Sequence, residues 1–198
     1  MAAIAGIVVG KTGHYRWAMW GGWALTTMGF GLLVLLDVNT SIPAWIFLEA
    51  VVGLGLGLLY PSITLGTQSS VPPTEAAMAS TMVLFFRNFG QALGVAIGGA
   101  ILQNRMQSIL SGSNILALLP SGMTGDGSEA ISLVALVNKL PQDSAVSIAL
   151  RDAFAKSFQM IWGVLGGLAG ASFLVHLTVK EYDMDQAHIT EQGLARDA

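Results

Sequence analysis

The chain has 198 residues, of which 53% are hydrophobic and only 11% charged, with a formal net charge of −3 at pH 7. Soluble domains carry about 25% charged residues, so this composition excludes a water-soluble body of this size, and the small negative charge gives no sign of a nucleic-acid partner. Because there is no cysteine, the chain has neither a disulfide framework nor thiolate chemistry. The 24 glycines lie within apolar runs, as in membrane helices that pack through small residues. Together these features predict an integral membrane protein.

Apolar runs long enough to cross a bilayer follow one another along the chain. A hydrocarbon core of about 30 Å requires ~20 apolar residues in a helix. Such runs predict spans over 17–36, 43–65, 77–102 and 157–179. A shorter run over 1–10 reaches only about half of the core at ~1.5 Å per residue, and it lacks the charged region of a signal peptide. It is interpreted as a truncated span, and the chain as the C-terminal piece of a larger protein.

The connection between the third and fourth full spans is the longest in the chain. Residues 103–156 are predicted to form an outer loop. Within it, the stretch 142–158 begins with Asp143 or Ser144, either of which can cap a helix that continues into the last span. Residues 183–198 are polar and are predicted to form a cytoplasmic tail.

The short loops predict the orientation in the membrane. The segment 11–16 contains Lys11 and Arg16, whereas the segment 37–42 contains Asp37 and no basic residue. Since basic loops stay in the cytoplasm, the first of these loops is expected inside and the second outside. The protein is therefore expected to be a multi-pass membrane protein, in the plasma membrane or alternatively in a vacuolar membrane.

A polar stripe with small residues runs along the third full span. At 100° per residue, Ser80, Arg87, Gln91, Gly94 and Gly98 lie within about 60° of one another. An unpaired arginine near the bilayer centre costs about 2.5–3.5 kcal/mol on insertion scales, so this stripe is expected to face a bundle interior. Two interpretations of the arginine stay open: a structural anchor that snorkels or bonds a backbone carbonyl, and a residue of a transport pathway. The residues on the opposite side are Met82, Phe85, Phe89 and Ala96.

The second full span has a similar stripe. Pro61 lies in this span and removes a backbone donor, which can kink the helix. Glu49, near the predicted outer end, is interpreted either as a proton-titrating group or as a solvated carboxylate, and Arg105 is its easiest ion-pair partner. The stripe consists of Glu49, Gly53, Leu56, Tyr60, Thr64 and Thr67.

Glycines spaced four residues apart predict faces where helices pack closely. The glycines assigned to helix packing are Gly53, Gly57, Gly90, Gly94, Gly98, Gly163 and Gly167.

Residue patterns of enzymes and metal sites are missing from the sequence. The three histidines, His14, His176 and His188, have no metal-ligand spacing. The run "GLGLG" at 53–57 lacks the G-x-G-x-x-G spacing of a dinucleotide loop and lies within an apolar run. No hydrolase triad is found, so the sequence predicts no enzyme, no metal and no cofactor.

Several stretches, taken together, resemble the C-terminal half of major facilitator superfamily transporters, in particular the fourteen-helix drug/proton antiporter branch common in fungi. These stretches are "GKTGHYRW", "GWALTTMGFGLLVLLD", "GLGLGLLYPSITLGTQSSVPPTEAAMASTMVLFFRNFGQALGVAIGGAILQNRM" and "FAKSFQMIWGVLGGLAG". The resemblance covers 1–182, which would then form one partial domain. It implies an all-α integral membrane helix bundle, the C-terminal portion of that fold.

The resemblance also implies a function, namely efflux of drugs, toxins or secondary metabolites, coupled to protons, across a midplane site between two halves. Its partners would be the lipid bilayer, a small-molecule cargo, protons and the N-terminal half of the transporter. The second and third full spans would border the cavity, where Gln68, Arg87, Asn88 and Gln91 match polar positions of the family. Tyr60 and Glu49 join them as pathway candidates. The alternative is a truncated membrane protein that does not transport and has a structural or regulatory role.

Overall fold

The computed structural model describes residues 2–111, 133–134, 137, 139–141, 144–180 and 182. All regular secondary structure in these ranges is helical. A 3-10 turn over Pro73–Glu75 precedes the fourth helix, and Leu133, Val134, Val137 and Lys139 are also helical. The α-helices are α1 (Ala2–Thr12), α2 (Arg16–Leu33), α3 (Ile42–Ser69), α4 (Ala76–Ser111) and α5 (Ala145–His176).

Two of the helices in the described ranges, α3 and α5, are long and apolar enough by length and composition to cross a membrane. At 28 residues, α3 contains the predicted span 43–65 and extends for about 42 Å. The longest helix, α4, has 36 residues, but Arg87, Asn88 and Gln91 interrupt its apolar part. The spans at 17–36 and 77–102 stay predictions.

The ends of α4 and α5 reach far into the segment predicted as an outer loop over 103–156. The structure shows α4 continuing to Ser111 and α5 beginning at Ala145. The prediction stopped α4 too early because polar residues end the apolar run at Leu102. Beyond that point the helices still bury apolar side chains, since Met106 packs against Leu150. The full cluster consists of Met106, Leu110, Leu133, Val137, Leu150 and Ala153.

The start of α5 is fixed by a side-chain cap. The hydroxyl oxygen of Ser144 accepts a hydrogen bond from the backbone N–H of Ser147 at 3.2 Å, which satisfies one of the free donors of the first turn. Of the two capping residues expected from the sequence, Ser144 is the one that caps α5 in the structure. Asp143 lies outside the described residues, and so does the predicted tail over 183–198.

Helices α2 and α3 approach so closely that their backbones touch. A Cβ added at Gly55 would lie 2.7 Å from the backbone nitrogen of Thr26, and one added at Gly22 would lie 3.1 Å from the carbonyl oxygen of Gly55. At Gly29 the added atom would lie 3.0 Å from the backbone nitrogen of Val52. Only glycine fits at these positions, so they set the distance between the two helices.

The glycines expected to pack helices are different ones. Within the described part of the chain, a Cβ added at most of them would meet nothing within 4 Å, and Gly57 is half-buried. On α3, the face that packs against another helix in the described residues contains Val52, Gly55 and Leu59 instead. Helix packing through these glycines stays a prediction. The glycines that face open space are Gly53, Gly90, Gly94, Gly98, Gly163 and Gly167.

A buried tyrosine in the turn between α1 and α2 forms hydrogen bonds with the segment that follows α5. The hydroxyl of Tyr15 donates to the carbonyl oxygen of Lys180 at 3.3 Å and accepts from the backbone N–H of Tyr182 at 2.9 Å. Its ring lies against α3, where a Cβ added at Gly66 would be 2.9 Å from the ring edge. Three helices are thus joined at the predicted inner end.

We expect Gly55→Ala to lower the free energy of unfolding by about 1–3 kcal/mol, the usual cost of overpacking, because the new methyl group meets backbone atoms of α2. The measurement is a denaturant titration of the purified chain in detergent micelles. Gly53→Ala is the matched control, since it adds the same group two residues away in open space. Equal losses in the two variants would contradict the close contact of α2 and α3.

Candidate functional site

A groove of about 680 Å³ lies between α3 and α4. Its wall is almost entirely apolar, with one cation, Arg87, and the hydroxyl groups of Tyr60 and Thr67. Clefts of roughly 300–1,000 Å³ with few polar groups are typical of small-molecule sites. The lining residues are Tyr60, Ile63, Thr67, Val71, Ala79, Met82, Val83, Leu84, Phe86 and Arg87.

Arg87 and Tyr60 join the two predicted polar stripes across this groove. The guanidinium carbon of Arg87 lies 4.4 Å from the ring centroid of Tyr60, which is a cation–π contact. Such a contact contributes about 0.5–1 kcal/mol at exposed sites and more where water is excluded. The tyrosine side chain is 50% exposed, so one side of the pair stays open to a ligand or neighbour. Within the described residues, Arg87 thus contacts an aromatic ring that lines the groove.

A second pair closes the predicted inner end of the groove. The side-chain amide of Gln68, in the last turn of α3, donates to the hydroxyl oxygen of Ser80 at 2.8 Å. That hydroxyl in turn donates to the carbonyl oxygen of Ala76 at 2.8 Å. The hydrogen bond holds the start of α4 against the end of α3. It also gives Ser80, a residue of the polar stripe, an uncharged partner.

The remaining pathway candidates are not brought together. Asn88 and Gln91 are exposed on α4, and the structure gives their side chains no hydrogen bond within the described ranges. Glu49 is exposed near the start of α3. The expected ion pair between Glu49 and Arg105 does not form, and in the ranges described above the ion pair joins Lys156 and Asp152 at 2.7 Å. A helical wheel gives the direction of a side chain around one helix, but it carries no information on the distance between helices.

The middle of α4 has little contact with the rest of the chain. From Thr81 to Ala100 every residue is exposed except the half-buried Val83, Gly98 and Gly99. The polar stripe and the bulky side opposite are both open. Within the residues that the structure describes, no bundle covers this part of the stripe, and its facing a bundle interior stays a prediction.

The wheel also missed part of the groove lining. Met82 and Phe86 line the groove, although both lie outside the polar stripe and Met82 was assigned to the opposite side. The groove follows the side of α4 that meets α3, and this side depends on how the two helices cross. The apolar side chains at 82, 83 and 86 gave no signal that separates a groove from a lipid-facing surface.

The described structure is that of an all-α membrane protein with a groove between α3 and α4. The chain is 42% identical, over 97% of its length, to a protein of Phoma sp. named "MFS transporter L2". It is 29% identical over 96% of its length to the "Acurin A biosynthesis cluster MFS-type transporter" of Aspergillus aculeatus. It is equally similar, again over 96% of its length, to the "MFS-type efflux pump LUC4" of a Fusarium species.

The chain is therefore homologous to fungal transporters of the major facilitator superfamily, and the resemblance and the all-α membrane fold class inferred from the sequence are confirmed. It spans only about a third of the length of these relatives, from 31% to 34%. No family model matches the chain, and no solved structure matches it. The relatives are named as transporters, which agrees with the prediction of a protein that is not an enzyme.

We expect a measurable coupling between Tyr60 and Arg87. In a double-mutant cycle, Tyr60→Leu and Arg87→Met should each lower the free energy of unfolding, and together by about 0.5–1 kcal/mol less than their sum, since either change removes the same contact. Denaturant titration of the purified chain in micelles gives the three values.

Tyr60→Phe is the control for this cycle, because it keeps the ring face and removes only the hydroxyl. It should retain the coupling with Arg87. Additive losses for the Leu and Met variants would mean that the two side chains lie near each other without interacting.

Proposed function

We propose that the whole protein, of which this chain forms about a third, exports small organic compounds across a membrane in exchange for protons. The observation that carries this proposal is the apolar groove of about 680 Å³ with the single cation Arg87. Homology to proteins named as transporters and efflux pumps supports it.

The groove supports export of organic compounds through its chemistry. An apolar wall binds cargo through shape and buried area, which suits compounds that differ in detail. Arg87 supplies a fixed positive charge beside Tyr60, and Gln91 and Asn88 add hydrogen-bonding groups further along the exposed surface of α4. Gln68 holds the inner end of the groove through Ser80.

Transport by this superfamily fold requires an opposing bundle that rocks against the one described. The exposed surface of α4 from Thr81 to Ala100 is where we place that bundle. Arg87 would then lie between the two bundles, in reach of cargo from either side.

Proton coupling and cellular location are part of the proposal. Glu49 is the candidate for proton coupling on this chain, because it is the carboxylate on the same polar stripe of α3 as Tyr60. The relatives place the protein in a membrane, and export of compounds out of the cell favours the plasma membrane over the vacuole.

The proposal is tested with a chimera in which this chain replaces the matched segment of 192 residues in the Phoma relative. Yeast cells that express the parent are first loaded with a panel of fluorescent organic acids, neutral compounds and cations, which identifies compounds that the parent exports. The chimera should export the same compounds at a rate within about tenfold of the parent, and a protonophore should stop export by both.

The control is the parent from which the segment has been deleted. A chimera that reaches the membrane in normal amounts and exports nothing would contradict the proposal. That result would favour the alternative of a membrane protein with a structural or regulatory role.

Within the chimera we expect Arg87→Ala to lower export by about tenfold or more, which corresponds to about 1.4 kcal/mol, because the groove loses its only cation. Arg87→Lys should recover part of the rate, since it keeps the charge but not the planar stacking on the ring. Arg105→Ala is the matched control, with the same charge change on the same helix outside the groove. Normal export by Arg87→Ala, with normal amounts in the membrane, would make Arg87 a structural anchor.

A further inference from the structure

A second cavity, of about 260 Å³, lies at the turn between α1 and α2 and is lined by His14, Arg16, Trp17 and Trp20. We call these four residues the basic–aromatic site. It shares no lining residue with the groove between α3 and α4, and the transport function proposed above does not use it.

The cation of this site is held in place by aromatic packing. The guanidinium carbon of Arg16 lies 4.6 Å from the ring centroid of Trp20. The indole N–H of Trp20 donates to the carbonyl oxygen of His176 at 3.2 Å, so the ring is fixed against the end of α5. A guanidinium on a fixed ring loses little further freedom when it binds an anion.

The charge of Arg16 is not neutralised by the described part of the chain. Its Nε is buried and has no hydrogen-bond partner, and its terminal nitrogens form no hydrogen bond or ion pair with the described residues. No carboxylate lines the cavity. A cation without a counter-charge, partly removed from water, favours an anionic ligand.

The backbone before α2 adds partial positive charge beside the arginine. Gly13, with φ +70°, makes the tight turn that brings Lys11 and His14 to the same end of the bundle. The Nδ1 of His14 donates to the carbonyl oxygen of Thr12 at 2.7 Å, so in the neutral ring Nε2 is an acceptor and the imidazole adds no donor for an anion. No side chain caps the first turn of α2, which begins at Arg16, so its free N–H groups add a partial positive charge.

An exposed apolar stripe on α2 leads away from the basic–aromatic site. Trp17, Ala24, Met28 and Gly31 are all exposed and lie within about 60° on the helix at 100° per residue. The side chains of Trp17 and Met28 are 47% and 58% exposed, and a Cβ added at Gly31 would meet nothing within 4 Å. From first to last, the stripe covers about 21 Å at helical rise, which is close to the length of an acyl chain.

We propose that the basic–aromatic site binds the phosphate of an anionic phospholipid whose acyl chain lies along the stripe from Trp17 to Gly31. The lipid belongs to the leaflet at the α1–α2 turn, which the charges of the loops predict to be cytoplasmic and which is rich in anionic lipids. A soluble phosphate would gain nothing from the stripe. The acidic residues after Lys180 could supply negative charge to the site, but they have no apolar chain that would cover the stripe.

The test uses the purified 198-residue chain in mixed micelles that contain palmitoyl-oleoyl phosphatidylglycerol or palmitoyl-oleoyl phosphatidylcholine. Native mass spectrometry counts the lipids that each protein retains. The wild-type chain should retain phosphatidylglycerol in preference to phosphatidylcholine. Arg16→Gln should lower that retention about fivefold, as expected for one basic residue at a membrane surface, and Arg16→Lys should recover part of it.

Arg105→Gln is the matched control, because it makes the same charge change at an exposed position on α4, and it should retain lipid like the wild type. Equal retention of the two lipids, or equal retention by Arg16→Gln and Arg105→Gln, would overturn the proposal. Displacement of phosphatidylglycerol by glycerol phosphate at millimolar concentration would show a soluble ligand instead. Retention that arises only after removal of 183–198 would show that the acidic tail occupies the site.

Discussion

The contact between the backbones of α2 and α3 is the constraint on which the rest of the structure depends. At Gly22, Gly29 and Gly55 the two helices leave no room for a side chain. Membrane helices gain little from the hydrophobic effect when they meet each other, because lipid is as apolar as leucine. Close packing and the few hydrogen bonds between helices must therefore supply the stability, and both require this short distance. With the two helices locked, the groove face of α3 and the basic–aromatic site on α2 are fixed at separate positions around one rigid pair.

The polar and exposed stripes of α2 and α3 lie outside the contact between the two helices. The polar stripe of α3, with Tyr60 and Glu49, points away from the face that packs on α2. On α2, the exposed stripe likewise avoids the face that contains Gly22 and Gly29. Each helix thus has one side that packs against its neighbour and another that stays open, so a substitution on the open side leaves the packed face unchanged.

Sequence reasoning predicted the membrane class, the helical fold and the polar character of α3 and α4, because these depend on composition and on a period of 3.6 residues. It also named both members of the Arg87–Tyr60 contact without pairing them. What it could not supply was the choice of packing face. Gly53 and Gly55 lie two residues apart in the same run, and only the crossing of α2 and α3 makes the second one a contact and the first one open. The extension of α4 to Ser111 was missed for a related reason, since Met106 and Leu110 are buried by residues distant in sequence.

Helix α4 is held by contacts near its two ends and has few contacts between them. Near its start the hydrogen bond from Gln68 to Ser80 holds it, and near its end Met106 and Leu110 are buried in an apolar cluster. Between these contacts, Gly90, Gly94 and Gly98 have no side chains that would stiffen the helix. A helix held in this way bends most near its middle, at about Leu93, which lies nearly two turns beyond the contact of Arg87 with Tyr60. The width of the groove can therefore change while both ends of the helix stay in place.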